Sequence, residues 1–199
     1  QIERAKSKEP NRKSQIERVR IEGRQSARLL HAKTDRMSLF ENNDYRWRET
    51  FFVLFDAANR PSPAAVEKAL RQLGGHYEVT GRREDEEGGF ESLTVVNNDD
   101  FAAMDITYIS GEDVAIHIAE IQDEMSTEFM SREEREKFSR LPECTARFDI
   151  YHFEKIVSSG ADDDFEDDFL DPGSLLLVLE QLTSLCKGIG IDPNSGAVM

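Results

Sequence analysis

From Phe51 to Phe55 the chain reads FFVLF, five apolar positions with no polar residue between them. A strand with one wet face alternates, so an unbroken aromatic-rich run over Glu49–Asp56 predicts a central strand buried on both faces. A loop follows at Asn59-Arg60-Pro61-Ser62-Pro63. Ser62 stands as an N-cap and Pro63 as the first helical residue. Val66, Leu70 and Leu73 then recur at helical spacing, and Gly74-Gly75 marks the stop.

The pattern next turns to short extended pieces. Tyr77–Thr80 and Phe90–Val96 predict two strands of a hairpin across the charged turn 82–89, and Ala103–Ile109 predicts another strand after the Asn97–Asp100 break. Gly111-Glu112-Asp113 introduces a helix with Val114, Ile118, Ile121, Met125 and Phe129 on one stripe. Ser131 and Glu134 form an S-x-x-E capping box, opening a short charged helix that Pro142 stops. In the strand Thr145–Glu154, Phe148, Ile150 and His152 share a face, with Tyr151 and Phe153 on the other. Asp171 and Pro172 cap an apolar helix holding Leu175, Leu176, Val178, Leu179, Leu182 and Leu185, ended by Gly188. Ile189–Ile191 is a short strand, and Ala197–Met199 pairs back on it or frays.

The element order β-α-β-β-β-α-α-β-α-β predicts an α+β domain, with helices packed on one face of a sheet. From Phe51 to Phe153 this order resembles the ferredoxin-like βαββαβ superfold, with an extra strand before the second helix and an appended helix-strand unit. The resemblance rests on element order and implies no particular activity.

Charge divides the chain. Residues 1–48 carry 13 Lys/Arg against 7 Asp/Glu, a net +6, whereas residues 49–199 carry 12 against 33, a net −21. We read 1–48 as a basic, partly helical arm and 49–199 as an acidic globular domain. From Ser14, which forms a capping box with Glu17, the arm has helical character, with Ile16, Val19, Leu29, Leu30 and Met37 as apolar surface. A domain this acidic repels phosphate backbones, so nucleic acid is an expected partner only through the arm. No apolar run reaches the roughly 20 residues of a membrane span. Cys144 and Cys186 form no C-x-x-C pair and read as reduced thiols of a cytoplasmic protein, although the sequence leaves their pairing open.

The segment 161–172, ADDDFEDDFLDP, holds seven acids in twelve residues. It fails as a calcium loop. Starting from Asp162, the turn-glycine position is Asp167 and the bidentate-Glu position is Gly173. We expect a solvated loop over 161–171, tacked down by Phe165, Phe169 and Leu170; weak divalent binding or anchorage of a basic partner are its other readings. His117 has Asp113 and Glu120 within helical reach, which predicts surface pairing and a poor zinc site. His152, between Tyr151 and Phe153, reads as a partly buried structural histidine. Gly188-Ile189-Gly190 follows a helix and lacks the third glycine of a dinucleotide loop. No P-loop, nucleophile elbow or H-E-x-x-H is present.

The stretch Leu54–Leu70, LFDAANRPSPAAVEKAL, resembles the first strand-loop-helix of small-molecule-sensing ACT domains. That family sets a Pro-Gly pair in the loop, so the resemblance implies a ligand near Asn59, Arg60 and Ser62. Ser62 stands where the family has its glycine.

The expected function is a non-enzymatic interaction or regulatory module without cofactor or metal, whose arm docks on a protein partner or another subunit. The expected contacts are Arg18, Arg20, Arg24 and Arg28 on the arm, and Asp162, Asp163, Asp164, Glu166, Asp167 and Asp168 on the domain. The alternatives are an ACT-like sensor, RNA or ribosome association through the arm, and an enzyme using His152 as base with Asp149, Glu154 or Cys144 nearby.

Overall fold

The computed structural model describes residues 38–156 and 173–199. The compact unit Asn43–Met199 carries the fold. Before it, Leu39–Glu41 forms one 3-10 turn capped by the Ser38 hydroxyl, which accepts from the Phe40 N–H.

The unit is α+β and built on one antiparallel sheet. Its strands are β1 (Tyr45–Phe55), β2 (Tyr77–Glu84), β3 (Phe90–Asn97), β4 (Ala102–Ser110), β5 (Ala146–Lys155), β6 (Ile189–Asp192) and β7 (Ala197–Val198). Its helices are α1 (Pro63–Arg71), α2 (Glu112–Glu124), α3 (Arg132–Ser139) and α4 (Gly173–Cys186). The sheet order is β2-β3-β4-β5-β1-β6-β7. The apolar run lands as expected: β1 is interior, hydrogen-bonded to β5 on one side and β6 on the other. Every residue from Thr50 to Phe55 is buried.

The helices do not share one face, which corrects the expected packing. Phe51, Val53 and Phe55 of β1 point to one side, where Val66 and Leu70 of α1 and Leu175, Val178, Leu179 and Leu182 of α4 cover them. Phe52 and Leu54 point to the other, packed with Val114, Ile118 and Ile121 of α2 and Phe138 of α3. The physical reason is β1 itself. A strand apolar at every position needs a cover on both sides, and one helical layer leaves half of it wet. The two-sided packing separates this domain from a one-layer sandwich, so the ferredoxin-like likeness stops at element order.

Local signals explain most element ends. Ser62 Oγ accepts from the Ala65 N–H, and Pro63 opens α1. The Ser131–Glu134 capping box closes in both directions, at 3.2 and 2.7 Å. The predicted stripe of α2 stops short: the helix ends at Glu124, and Phe129 lies beyond it, 89% exposed. Leu176 is also outside the core, at 45% exposure. At the end of α4 the left-handed residue is Lys187 (φ 54°), not Gly188. Gly188 answers a different need. A Cβ there would sit 2.8 Å from the Leu54 carbonyl and 2.9 Å from Val53 Cγ1, so the close approach of this turn to β1 requires its absence. β2 runs on into the expected charged turn, with an irregular register between Thr80 and Arg83 and Gly81 at φ 63°.

Candidate functional site

The second sheet face has two halves. Over β1 and β6 it is apolar and lies under α2 and α3. Over β3, β4 and β5 two of its rows are polar, and the next, Val96, Ala103 and Phe153, is apolar. Strand register lines up Thr94, Asp105, Tyr151 and Thr50 in one row, and Ser92, Thr107, Asp149 and Phe52 in the next. Thr50, Asp105, Thr107 and Asp149 are all buried there. Buried acids are uncommon without partners, so the bonding of each decides its role.

Asp149 is held twice. Arg147 Nε donates to Oδ1 at 2.6 Å and its Nη2 to Oδ2 at 3.3 Å, while the Tyr151 hydroxyl donates to Oδ2 at 3.2 Å. Arg147 lies 5.3 Å above the Phe52 ring, which joins the polar half to the apolar one. Asp105 accepts from the Thr94 hydroxyl at 2.6 Å. Burial, reinforced by the Asp149 charge, pushes the Tyr151 phenol well above its ordinary range, so it stays protonated as the donor. Trp47 Nε1 donates to Thr50 Oγ1 at 3.3 Å at the margin of this face.

Neither carboxylate stood out as part of a pair in the sequence reading. The signal was present in two places: Met104-Asp105-Ile106 and Phe148-Asp149-Ile150 each set one Asp into an apolar strand. An acid in the middle of a strand buried on both faces calls for an internal partner. Only the register shows that the two belong to one surface.

Of the histidines, His117 touches the edge of this network through Phe52, and His152 is placed apart from it. His117 departs from the expected surface pairing: its ring packs edge-on against Phe52, centroids 4.5 Å apart, and its buried Nδ1 has no hydrogen-bond partner. Burial, with the Arg147 charge behind it, lowers its pKa to about 3. His152 lies on the opposite face, where Nδ1 is 3.4 Å from Glu49 Oε1. The groups considered with it as an enzyme are dispersed. Asp149 points to the other face, and Cys144 belongs to the cluster under α2 and α3. Glu154 is bound by Arg46 at 2.8 Å and Arg48 at 3.1 Å.

The ACT-like loop is occupied by its own structural bonds. Arg60 donates from Nε and Nη2 to the Phe90 carbonyl at 3.1 and 2.5 Å, pairs with Asp85 at 2.7 Å, and lies 3.8 Å above the Tyr108 ring. Asn59 closes the 3-10 turn Ala57–Asn59, and the Ser62 hydroxyl is taken up by the helix cap. Arg60 thus clasps the β1–α1 loop to the β2–β3 turn. Arg60→Ala is expected to cost about 1–2 kcal/mol, through the bared Phe90 carbonyl and the lost stacking on Tyr108. A urea midpoint unchanged from the parent would refute the clasp.

Both thiols are free and buried, in different clusters on opposite faces. Burial pushes Cys144 up to about 11 and Cys186 up to about 12. A thiolate is the reactive form, so neither should react with a disulfide reagent at pH 8 until the domain unfolds. Rapid colour release from the native protein would contradict this placement.

Among the described residues no group of three or more His, Cys, Asp or Glu is placed to hold a metal ion. No helix there is long and apolar enough to cross a membrane. Arg18, Arg20, Arg24 and Arg28, and Asp162, Asp163, Asp164, Glu166, Asp167 and Asp168, lie outside the described residues. No family model, no curated protein and no solved structure matches this chain.

Proposed function

We propose that the chain is a non-enzymatic interaction or regulatory module of the cytoplasm, whose basic segment 1–48 docks on a partner protein or another subunit. The observation that carries the proposal is the charge division: +6 over residues 1–48 against −21 over residues 49–199. The bonding within the domain supports it. Its buried carboxylate Asp149 is engaged internally, its thiols are raised and its candidate catalytic groups lie apart. A charge division of this size acts in recognition and encounter.

The test compares the full chain with a variant carrying Arg18→Gln, Arg20→Gln, Arg24→Gln and Arg28→Gln. Both are used for capture from native lysate with and without nuclease treatment, and both are sized by light scattering. The expected result is a specific partner, or self-association, that weakens at least tenfold in the variant. Identical captured proteins and identical mass for the two would overturn the proposal. Capture abolished by nuclease would replace it with RNA association through the arm.

A further inference from the structure

The outward face of α2 joins an exposed isoleucine to acidic residues. Its inner stripe, Val114, Ile118 and Ile121, is buried. Its outer stripe is Glu112, Ala115, Ile116, Ala119, Glu120 and Asp123, all exposed. These positions recur at i, i+3, i+4, i+7, i+8 and i+11, one continuous line along the helix. Ile116 is 52% exposed at its centre, and the 89% exposed Phe129 follows the helix end. The two alanines flanking Ile116 let another helix approach closely.

The charge carried on α2 itself has one sign. Every ionisable carboxylate or amine on α2 is acidic: Glu112, Asp113, Glu120, Asp123 and Glu124. Asp123 and Glu124 stand in the last turn, where the helix dipole disfavours negative charge. α3 next to it is arranged differently, with the i,i+4 pairs Arg132–Glu136 at 3.1 Å and Lys137–Glu133 at 2.9 Å. An exposed isoleucine set among alanines and acids matches a basic amphipathic helix.

The basic residues of the chain are concentrated in segment 1–48. Residues 14–30 hold Arg18, Arg20, Arg24 and Arg28 against Glu17 and Glu22, a net +2; Arg20, Arg24 and Arg28 recur at i, i+4 and i+8, and Ile16, Val19 and Leu30 are apolar. We propose that the Ala115–Ile116–Ala119 seam of α2 is the docking surface for the basic segment 14–30 of a second copy of this chain. The inference rests on the docking reading above and names the partner and the receiving surface.

The experiment is sedimentation equilibrium of the full chain at low and high salt, with two variants. The seam variant carries Ile116→Lys and Glu120→Lys; the arm variant carries Arg20→Glu, Arg24→Glu and Arg28→Glu. The altered seam residues are exposed, and circular dichroism checks that each variant folds. The parent should dimerise in a salt-sensitive manner, and each variant should do so at least tenfold more weakly. An equal mixture should regain association, because the seam of one and the arm of the other are intact. A parent that is monomeric throughout, a seam variant that dimerises like the parent, or a mixture that recovers nothing would each overturn the inference. If the seam variant captures a lysate partner as the parent does while the arm variant does not, docking stands and this surface falls. An arm variant equal to the parent in both assays ends both.

Discussion

Asp149→Ala is expected to destabilise the domain by about 3–5 kcal/mol, among the largest losses available to a single polar substitution in this protein. The reason lies in what the substitution leaves behind. The Arg147 side chain is 13% exposed and takes its charge partner from Asp149, whose own side chain is 4% exposed. Without Asp149 the guanidinium stays largely desolvated above Phe52, and the Tyr151 hydroxyl loses the Asp149 carboxylate as an acceptor. The lost hydrogen bonds are the smaller part; an unmatched buried charge is the larger. The arrangement therefore predicts a partial cancellation. Asp149→Leu combined with Arg147→Met should recover at least half of the loss, because both charges go together and the space stays filled. Urea unfolding of the single and double variants measures this. A single variant within about 1 kcal/mol of the parent would show that the pair is not desolvated in solution.

The second large effect is a pH dependence from His117. Its folded pKa is lowered to about 3 by burial, with Arg147 adding to the effect. The unfolded chain has an ordinary imidazole near pH 6.5 and so binds a proton where the folded protein does not. The stability that follows from a neutral His117 is thus intact above about pH 6.5 and is lost as pH falls toward about 3. The full loss is on the order of 4–5 kcal/mol, and about 2 kcal/mol of it falls between pH 6.5 and pH 5. That upper window lies above the range where most carboxylates titrate, and a variant without the imidazole separates His117 from the other three histidines. His117→Leu keeps an apolar contact with Phe52 and removes the proton site. Its stability should change between pH 7 and pH 5 by about 2 kcal/mol less than that of the parent. Parallel pH profiles would mean that the imidazole reaches water or opens locally before the domain unfolds.

Much of this architecture is legible in one dimension. FFVLF announces a strand covered twice, and the structure buries it between β5 and β6. Ser62-Pro63 and Ser131–Glu134 announce helix starts, and both caps form. These signals are local: a cap or an apolar run expresses the needs of backbone groups and side chains a few residues apart. The acidic character of α2 can also be read directly, because it is composition on one helix.

Other features depend on distant parts of the chain. An amphipathic stripe states that a helix must be covered, not which side of a sheet will cover it. Hence α1 and α4 on one face, with α2 and α3 on the other, could not be read from Val66 or Val114 alone. The meeting of Thr94 with Asp105, and of Tyr151 with Thr50, follows from strand register, set jointly by four strands. His117 shows the same limit most clearly. Its neighbours in sequence, Asp113 and Glu120, suggest a solvated ion pair, whereas Phe52, 65 positions away, makes it a buried neutral ring. The sequence by itself determined most elements of the domain, the caps of α1 and α3, the division of charge and the double burial of Phe51–Phe55, since each is a local or compositional property. Only the tertiary structure decided the faces, the carboxylate network and the state of His117, because burial and electrostatic environment are produced by residues that come together only when the sheet is assembled.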